Sequence, residues 1–235
     1  LLPGLTVELL PSIDSTNGEL MRRARNGQHD AVLLVAEQQT AGRGRLGREW
    51  RSDPADSLTF SLGVVLAPRD WWGLSLAVGV AIAEALHPDV QLKWPNDLWV
   101  ADAKLGGILI ETAPADRQAR YAIVGVGLNF RPRGAEGLST QPAWLQQLRP
   151  DLDAGTALLA IVPALAATLK RFQAEGFSSF QRAFARRDAL KGREVRLSDG
   201  RTGLAQGVDG QGALLVHTAA GPLAITSSEV SVRPA

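Results

Sequence analysis

Residues 40–54 carry neither a helical nor a strand period, and this segment constrains the chain more than any other. Its centre reads Gly42-Arg43-Gly44-Arg45-Leu46-Gly47-Arg48-Glu49-Trp50-Arg51. Glycine and arginine at that density cannot bury one face of an element, so the segment is a loop. The run contains G-x-G-x-x-G. A dinucleotide fingerprint, however, needs a helix directly after the glycines, and Ser52-Asp53-Pro54 follows instead. No Gly-Lys-Ser/Thr stands there either, so a Walker A loop is absent. What remains is Arg43, Arg45, Arg48 and Arg51 against Glu49, on glycines that let a backbone approach a ligand. Guanidinium groups bind phosphate bidentately. The loop is therefore either an anion site or a solvated basic loop.

Secondary-structure signals surround it. Residues 16–26 read as a helix, with Thr16 and Glu19 as capping box and Gly27 past the end. Residues 31–36 and 58–66 read as buried strands, and 71–86 as an apolar helix. Strands at 90–94 and 98–100 flank the turn Pro95-Asn96-Asp97. Strands follow at 105–111 and 121–128, then an irregular stretch over 131–153. Leu158, Ile161, Val162, Leu165, Leu169 and Phe172 recur at helical spacing. Pro163 is expected to kink that helix. A second helix is expected over 177–187. After Leu190, short alternating runs with Asp199-Gly200 and Asp209-Gly210 predict hairpins, the last strand lying at 230–232. This change of texture puts a boundary near residue 189. The small β unit beyond it is too thin to hold a core alone and should lean on the first.

Composition removes several function classes. Among 235 residues, 25 Lys+Arg face 24 Asp+Glu, a net charge of +1, which argues against a globally basic nucleic-acid binder. With no Cys, a disulfide scaffold, a thiolate zinc site and a cysteine nucleophile are excluded, and a reducing compartment is favoured. The three histidines, His29, His87 and His217, stand in no ligand spacing. Pro163 breaks the longest apolar run, so no membrane span is expected. No signal peptide is evident, which points to a cytoplasmic location.

Four further segments join the loop in carrying chemistry: Asp14-Ser15-Thr16-Asn17, Lys93-Trp94-Pro95-Asn96-Asp97, Lys104-Leu105-Gly106-Gly107-Ile108-Leu109-Ile110-Glu111 and Gly125-Val126-Gly127-Leu128-Asn129. A lysine opening a buried strand is costly without a partner. Strand glycines mark bulges or close approach. Each segment has a plain structural explanation: a helix cap, a turn, an edge-strand lysine, a bulge. Together, in this order and spacing, they resemble the biotin protein ligase family. Because Asp14-Ser15-Thr16-Asn17 stands so near the first residue, the resemblance is to the monofunctional kind without an N-terminal DNA-binding domain.

The resemblance implies an α+β fold. A class II synthetase-like catalytic domain with a mixed, largely antiparallel sheet and helices is expected over 1–188, and a small SH3-like β-barrel over 189–235. It implies a biotin–[biotin carboxyl-carrier protein] ligase. Such an enzyme activates biotin with ATP and Mg²⁺ to biotinyl-5′-AMP, then passes biotin to a lysine of a carboxyl carrier domain, as in acetyl-CoA carboxylase. The residue inventory fits that chemistry. A carboxylate is already ionised at neutral pH, so activation requires cations that bring two anions together and no general base.

By motif position, Lys104, Arg45 and Asp97 are the expected catalytic residues. Asp97 orients the acceptor lysine or holds Mg²⁺. Biotin is expected on Ser15, Thr16, Asn17, Gln39, Gly42, Arg43, Gly44, Arg45, Lys104, Gly106, Gly107, Ile108, Gly125 and Gly127. ATP or the adenylate is expected on Arg43, Arg45, Arg48, Trp50, Asn96, Lys104 and Asn129, with Trp50 stacking on adenine. The loop is expected to close over the adenylate as a lid. A homodimer through sheet edges is a further implication; DNA is not an expected partner.

Three readings compete. A lipoate-type ligase shares the fold, but its Arg-Arg-x-x-Gly-Gly-Gly signature is missing. A nucleic-acid-binding module would use the basic loop and Trp50. A non-catalytic scaffold would tolerate the loss of Lys104.

Overall fold

The computed structural model describes residues 2–116, 118–132, 140–226 and 232–234. Of the sequence expectations, residues 133–139 of the irregular stretch and residues 230–231 of the last strand lie outside that set.

Seven strands form the main sheet: β1 (Thr6–Ile13), β2 (Val32–Gln39), β3 (Ser57–Leu66), β4 (Gln91–Lys93), β5 (Asp97–Val100), β6 (Ala103–Pro114) and β7 (Arg120–Asn129). Their spatial order is β1-β2-β3-β7-β6-β5-β4. Only β1 and β2 pair in parallel; every other pairing is antiparallel. The sheet is therefore mixed, as expected.

Strand alternation divides it into two unlike faces. Along β3, Leu58, Phe60, Leu62 and Val64 enter the large core together with α2 (Leu74–Leu86) and α3 (Ala154–Glu175). The intervening Ser57, Thr59 and Ser61 are buried as well, on the other face. There α1 (Thr16–Arg25) packs Leu20 and Ala24 against Leu34, Tyr121 and Ile123. An apolar face thus makes the core, and a face of small and polar residues is left for a site.

The second sheet, in the order β11-β10-β9-β8-β12, is antiparallel throughout. Its strands are β8 (Glu194–Leu197), β9 (Thr202–Val208), β10 (Leu214–Thr218), β11 (Gly221–Ile225) and β12 (Val232–Pro234). Val195, Leu197, Leu214 and Val216 belong to the same core as the first unit. The fully buried Trp94 donates its indole N–H to Gly212 O at 3.0 Å, which ties the units together.

Several local expectations change. Ser15, not Thr16, caps α1: its Oγ accepts from Gly18 N at 3.2 Å. Thr16 lies inside the helix, and its hydroxyl is free to turn elsewhere. The helix expected over 177–187 shrinks to a 3₁₀ turn, Phe177–Ser179, and the short α4, Gln181–Ala185. Helix α3 runs from Ala154 to Glu175 without interruption at Pro163. Pro163 and Leu159 are both exposed, so the Leu159 carbonyl that loses its partner faces water. This helix is also long and apolar enough to cross a membrane by length and composition, but it buries Ile161, Leu165, Leu169 and Phe172 in the core. Strand β1 was not foreseen. It is an edge strand with Val7 and Leu9 exposed, so it lacks the apolar run of a buried strand.

Candidate functional site

One cavity of about 790 Å³ opens on the polar face of the main sheet. At one end stand Ser15, Thr16, Asn17 and Gln39. Arg43, Arg45, Arg48 and Trp50 come from the loop, Asn96, Asp97 and Lys104 from the β5–β6 region, and Gly125, Gly127 and Asn129 from β7. Gly44, Gly107 and Ile108 line it too. Five segments remote in sequence thus meet in one place.

The neutral end is a connected hydrogen-bond chain. Gln39 Oε1 accepts from Thr16 N at 2.7 Å and from Thr16 Oγ1 at 3.0 Å. Ser61 Oγ lies 2.7 Å from Thr16 Oγ1 and 2.6 Å from Asn17 Oδ1. Asn17 Nδ2 donates to Leu109 O at 3.2 Å and to Glu111 Oε2 at 2.8 Å. The two hydroxyl protons can fill two of these three hydroxyl contacts at a time, so the chain links its members through shared rather than fully separate hydrogen bonds. Ser61 and Glu111 were not among the expected site residues. Their signal lay in the alternation of Ser57, Thr59 and Ser61 within an otherwise apolar strand.

The cationic end is built around Asp97. Its Oδ1 is 2.7 Å from Lys104 Nζ and its Oδ2 is 3.7 Å from Lys93 Nζ. Lys93 also lies over the Trp99 ring, 5.3 Å from its centroid. Asn96 clamps the turn to β6: Nδ2 donates to Ile108 O at 2.8 Å, and Ile108 N donates to Asn96 O at 2.9 Å. Asn96 Oδ1 then accepts from Arg45 Nη1 at 3.3 Å, aligning that guanidinium with the cavity. Burial pushes the Arg45 guanidinium below its ordinary value; the Asp97 charge opposes this and Arg48 adds to it. Positive charge is concentrated here at an electrostatic cost that an anion would relieve.

The loop itself is ordered by its own backbone. Gly44 N donates to Arg48 O at 2.7 Å and Trp50 N to Gly42 O at 2.9 Å. At the tip, Leu46 takes a left-handed φ of 57°. The Trp50 indole rests on Gly127, where a Cβ would lie 2.8 Å from Nε1. At Gly125 a Cβ would lie 2.8 Å from Asn17 Cγ. These two glycines are required by close approach to the site.

Two expected ligand residues do not line the cavity. A Cβ at Gly106 would lie 2.7 Å from Leu128 Cδ2, so this glycine serves strand packing. A Cβ at Gly42 would meet the Trp50 carbonyl, so this one serves loop closure. Gly107 has ordinary room, with Lys104 Nζ 3.5 Å from the Cβ position. The donor set does not make a protein cage for Mg²⁺. Both Asp97 oxygens face ammonium groups, and among the described residues no group of three or more acidic or histidine side chains is placed to hold a metal ion. Asn129 donates both amide protons, to Lys104 O at 2.9 Å and Ala143 O at 3.0 Å, which leaves Oδ1 as an acceptor.

This geometry agrees with the known proteins the chain is similar to. A sequence model described as the biotin/lipoate A/B protein ligase family matches residues 9–129, and one described as the biotin protein ligase C terminal domain matches residues 192–233. The chain is 36% identical over 227 residues to the bifunctional ligase/repressor BirA of Escherichia coli, covering 92% of this chain and 70% of that protein. It is 30% identical over 238 residues to the biotin--[acetyl-CoA-carboxylase] ligase of Paracoccus denitrificans, covering 94% and 98%. Its structure superposes on the biotin protein ligase from Aquifex aeolicus, solved in complex with biotin and ATP, with a TM-score of 0.83 and 31% identity over the whole of both chains. Fold and site thus define a ligase of the biotin/lipoate class. Within that class, the chain belongs to the biotin protein ligase family.

Proposed function

We propose that the enzyme catalyses both half-reactions of protein biotinylation: formation of biotinyl-5′-AMP from biotin and ATP with release of pyrophosphate, then transfer of biotin to a lysine of a biotin carboxyl carrier domain. The observation that carries this reading is the polarity gradient of the cavity. Hydroxyl and amide groups fill one end, guanidinium and ammonium groups the other, and no histidine or cysteine stands between.

The ureido ring of biotin offers two N–H donors and one carbonyl acceptor. The Ser15–Thr16–Asn17–Gln39 end presents neutral partners of both kinds. Gly125 and Gly127 let Asn17 and the Trp50 indole close on the cavity, and these two side chains would frame the bicyclic ring. The valeric carboxylate then points toward Lys104 and Arg45, which carry no competing role as base. Attack on the α-phosphorus forms the mixed anhydride and breaks the bond to the β-phosphate, whose oxygen keeps the electron pair. Arg43, Arg45, Arg48 and Lys104 hold the two mutually repelling anions together. Asn129 Oδ1 suits the amino group of adenine, and Trp50 its face. Mg²⁺ bound to the nucleotide would supply charge neutralisation, which Arg43, Arg45, Arg48 and Lys104 complement from the protein side.

For transfer, an acceptor ammonium must approach and lose its proton. In the free protein Lys104 Nζ occupies the position beside Asp97 that such an ammonium would take. When Lys104 turns to the carboxylate and phosphate, Asp97 becomes available to the acceptor, while Lys93 keeps it in place. Residues 1–188 then form the catalytic unit and 189–235 an accessory one.

The test is ATP–pyrophosphate exchange dependent on added biotin, with lipoate as control. Exchange with biotin alone supports the reading. Exchange with lipoate alone would assign the chain to the lipoate-type branch. DNA binding of salt-sensitive affinity without exchange would favour the nucleic-acid module.

A further inference from the structure

Glu111 is a partly buried carboxylate on the polar face of the main sheet, and no step of the reaction uses it. Strand period puts it on the same face as Leu109, two residues back on β6. Asn17 Nδ2 donates one proton to Glu111 Oε2 at 2.8 Å and the other to Leu109 O at 3.2 Å. A carboxylate and a carbonyl only accept. The amide is thereby held one way round, with its Oδ1 facing Ser61 Oγ at 2.6 Å.

The far end of the same chain is fixed by a backbone group. Thr16 N can only donate, and Gln39 Oε1 accepts from it at 2.7 Å. The run Asn17–Ser61–Thr16–Gln39 therefore ends in an acceptor on both sides, with two hydroxyls between. Its three oxygen-to-oxygen contacts, 2.6, 2.7 and 3.0 Å, share two protons, so one contact lacks a donor. With the Asn17 amide reversed, Nδ2 would donate to Ser61 and the two hydroxyl protons would fill the other two contacts. Glu111 and Leu109 O oppose that arrangement, so a shortage of one proton is built in. Such a shortage is costly where water is excluded. Ser61 is fully buried, whereas Thr16 and Gln39 line the cavity, so the open acceptor is reached from the ligand side.

We propose that Glu111 makes the neutral end of the cavity selective for a ring that carries N–H. By holding the Asn17 amide it keeps the chain one proton short, and an N–H of the ligand supplies the missing donor. A cyclic urea meets that demand; a dithiolane, which has no N–H, does not. Glu111 acts through Asn17 and is a positioning residue. The inference rests on the biotin reading above and names the residue behind its choice of ring.

The experiment is calorimetric titration of the full chain, without ATP, using biotin and its two cyclic carbamate analogues. In each analogue one ureido N–H is replaced by oxygen, which keeps the ring size and sets an acceptor where a donor is needed. To the unsubstituted chain, one of the two analogues is expected to bind at least about 10-fold more weakly than biotin, the cost of an unsatisfied buried acceptor. Glu111→Leu is expected to narrow that gap to about 3-fold or less, because the amide is then held by Leu109 O alone and can reverse. Glu111→Gln retains an acceptor oxygen and keeps the gap. Asn17→Ala removes one end of the chain, leaves two protons for two contacts, and narrows the gap as well; Glu111→Leu added to it changes the gap no further. If Glu111 merely supports the fold, Glu111→Leu weakens biotin and both analogues by one factor, and the unchanged gap overturns the proposal. Equal binding of biotin and both analogues by the unsubstituted chain overturns it too, while leaving the biotin reading in place. Should Glu111→Leu fail to fold, Asn17→Ala decides by the same criterion. An unsubstituted chain that does not bind biotin removes the biotin reading and the proposal with it.

Discussion

Gly125→Ala tests whether the site is as rigid as its hydrogen bonds indicate. The added methyl carbon would sit 2.8 Å from Asn17 Cγ and 3.1 Å from Asn17 Nδ2. Real Cβ atoms do not come that close, so Asn17 must move. It is held at 3.2 Å to Leu109 O, 2.8 Å to Glu111 and 2.6 Å to Ser61. Giving up one or two buried hydrogen bonds at about 1 kcal/mol each, with overpacking of about 1–3 kcal/mol, gives a cost of about 2–5 kcal/mol. For a domain of this size that lowers Tm by roughly 4–20 °C. The amide displaced belongs to the proposed biotin end, so KM for biotin should rise by at least about 10-fold, equivalent to 1.4 kcal/mol. Calorimetry gives the first quantity and biotin-dependent exchange the second. The decisive comparison is the double variant with Asn17→Ala, which removes the atoms that the methyl strikes. It should be no less stable than Asn17→Ala alone, a strongly non-additive cycle. Additive losses would refute the steric argument, as would Gly125→Ala with unsubstituted Tm and KM.

Asp97→Asn should slow transfer to the carrier lysine more than adenylate formation; rapid-quench measurement of the two half-reactions decides, and equal loss would contradict the division of roles. Replacing Gly44 by Val should raise the release of free biotinyl-5′-AMP by stiffening the lid, read by chromatography of the reaction mixture; an unchanged leak would argue against the lid. Pro163→Ala should restore the hydrogen bond to Leu159 O and raise stability by about 1–2 kcal/mol, seen as a higher Tm; a lower Tm would mean the helix is shaped around the proline. Asp188 has a carboxyl raised above the ordinary 3.8 by burial, only partly opposed by backbone donors at Leu190 and Lys191. Its folded state prefers the protonated form, so its contribution to stability is present below pH 3.8 and lost as pH rises through the elevated value. Asp188→Asn should therefore be more stable than the unsubstituted chain at neutral pH and about equal at pH 3; equal Tm at both would show that the burial carries no penalty.

The parts of this protein that were legible in sequence are those where one physical requirement dominates. Residues 58–66 are apolar on one face and had to be a buried strand. The Asp-Gly turns after Leu190 had to close hairpins. The loop could be nothing else, because glycine and arginine offer no face to bury. Strand β1 was hidden because an edge strand need satisfy only one neighbour: its pairing is backbone to β2, and its side chains are free to be mixed. The cap on α1 moved by one residue because Ser15 and Thr16 are chemically equivalent caps, and only the presence of Gln39 opposite Thr16 settles which hydroxyl is available. That preference is tertiary and cannot be read locally.

The site shows the same division more sharply. The glycines at 106, 107, 125 and 127 look alike in sequence, yet they serve three purposes. Gly106 accommodates Leu128, Gly125 and Gly127 accommodate Asn17 and Trp50, and Gly107 has room for a methyl. The strand period sorts them: on β7, residues 125 and 127 share the face of Ser61 across β3, through the pairing of Ser61 with Gly125. The polar residues of β3, read at every second position, therefore predict which glycines border the cavity. Ser61 then acquires a role that its residue type alone did not suggest. It joins Thr16 and Asn17, and through Thr16 reaches Gln39, so the end of the cavity assigned to the ureido ring is held by a serine in the wall behind it. Loss of that hydroxyl leaves the Asn17 carbonyl oxygen without its donor inside the protein, and the positions of two neighbouring ligand groups are released together.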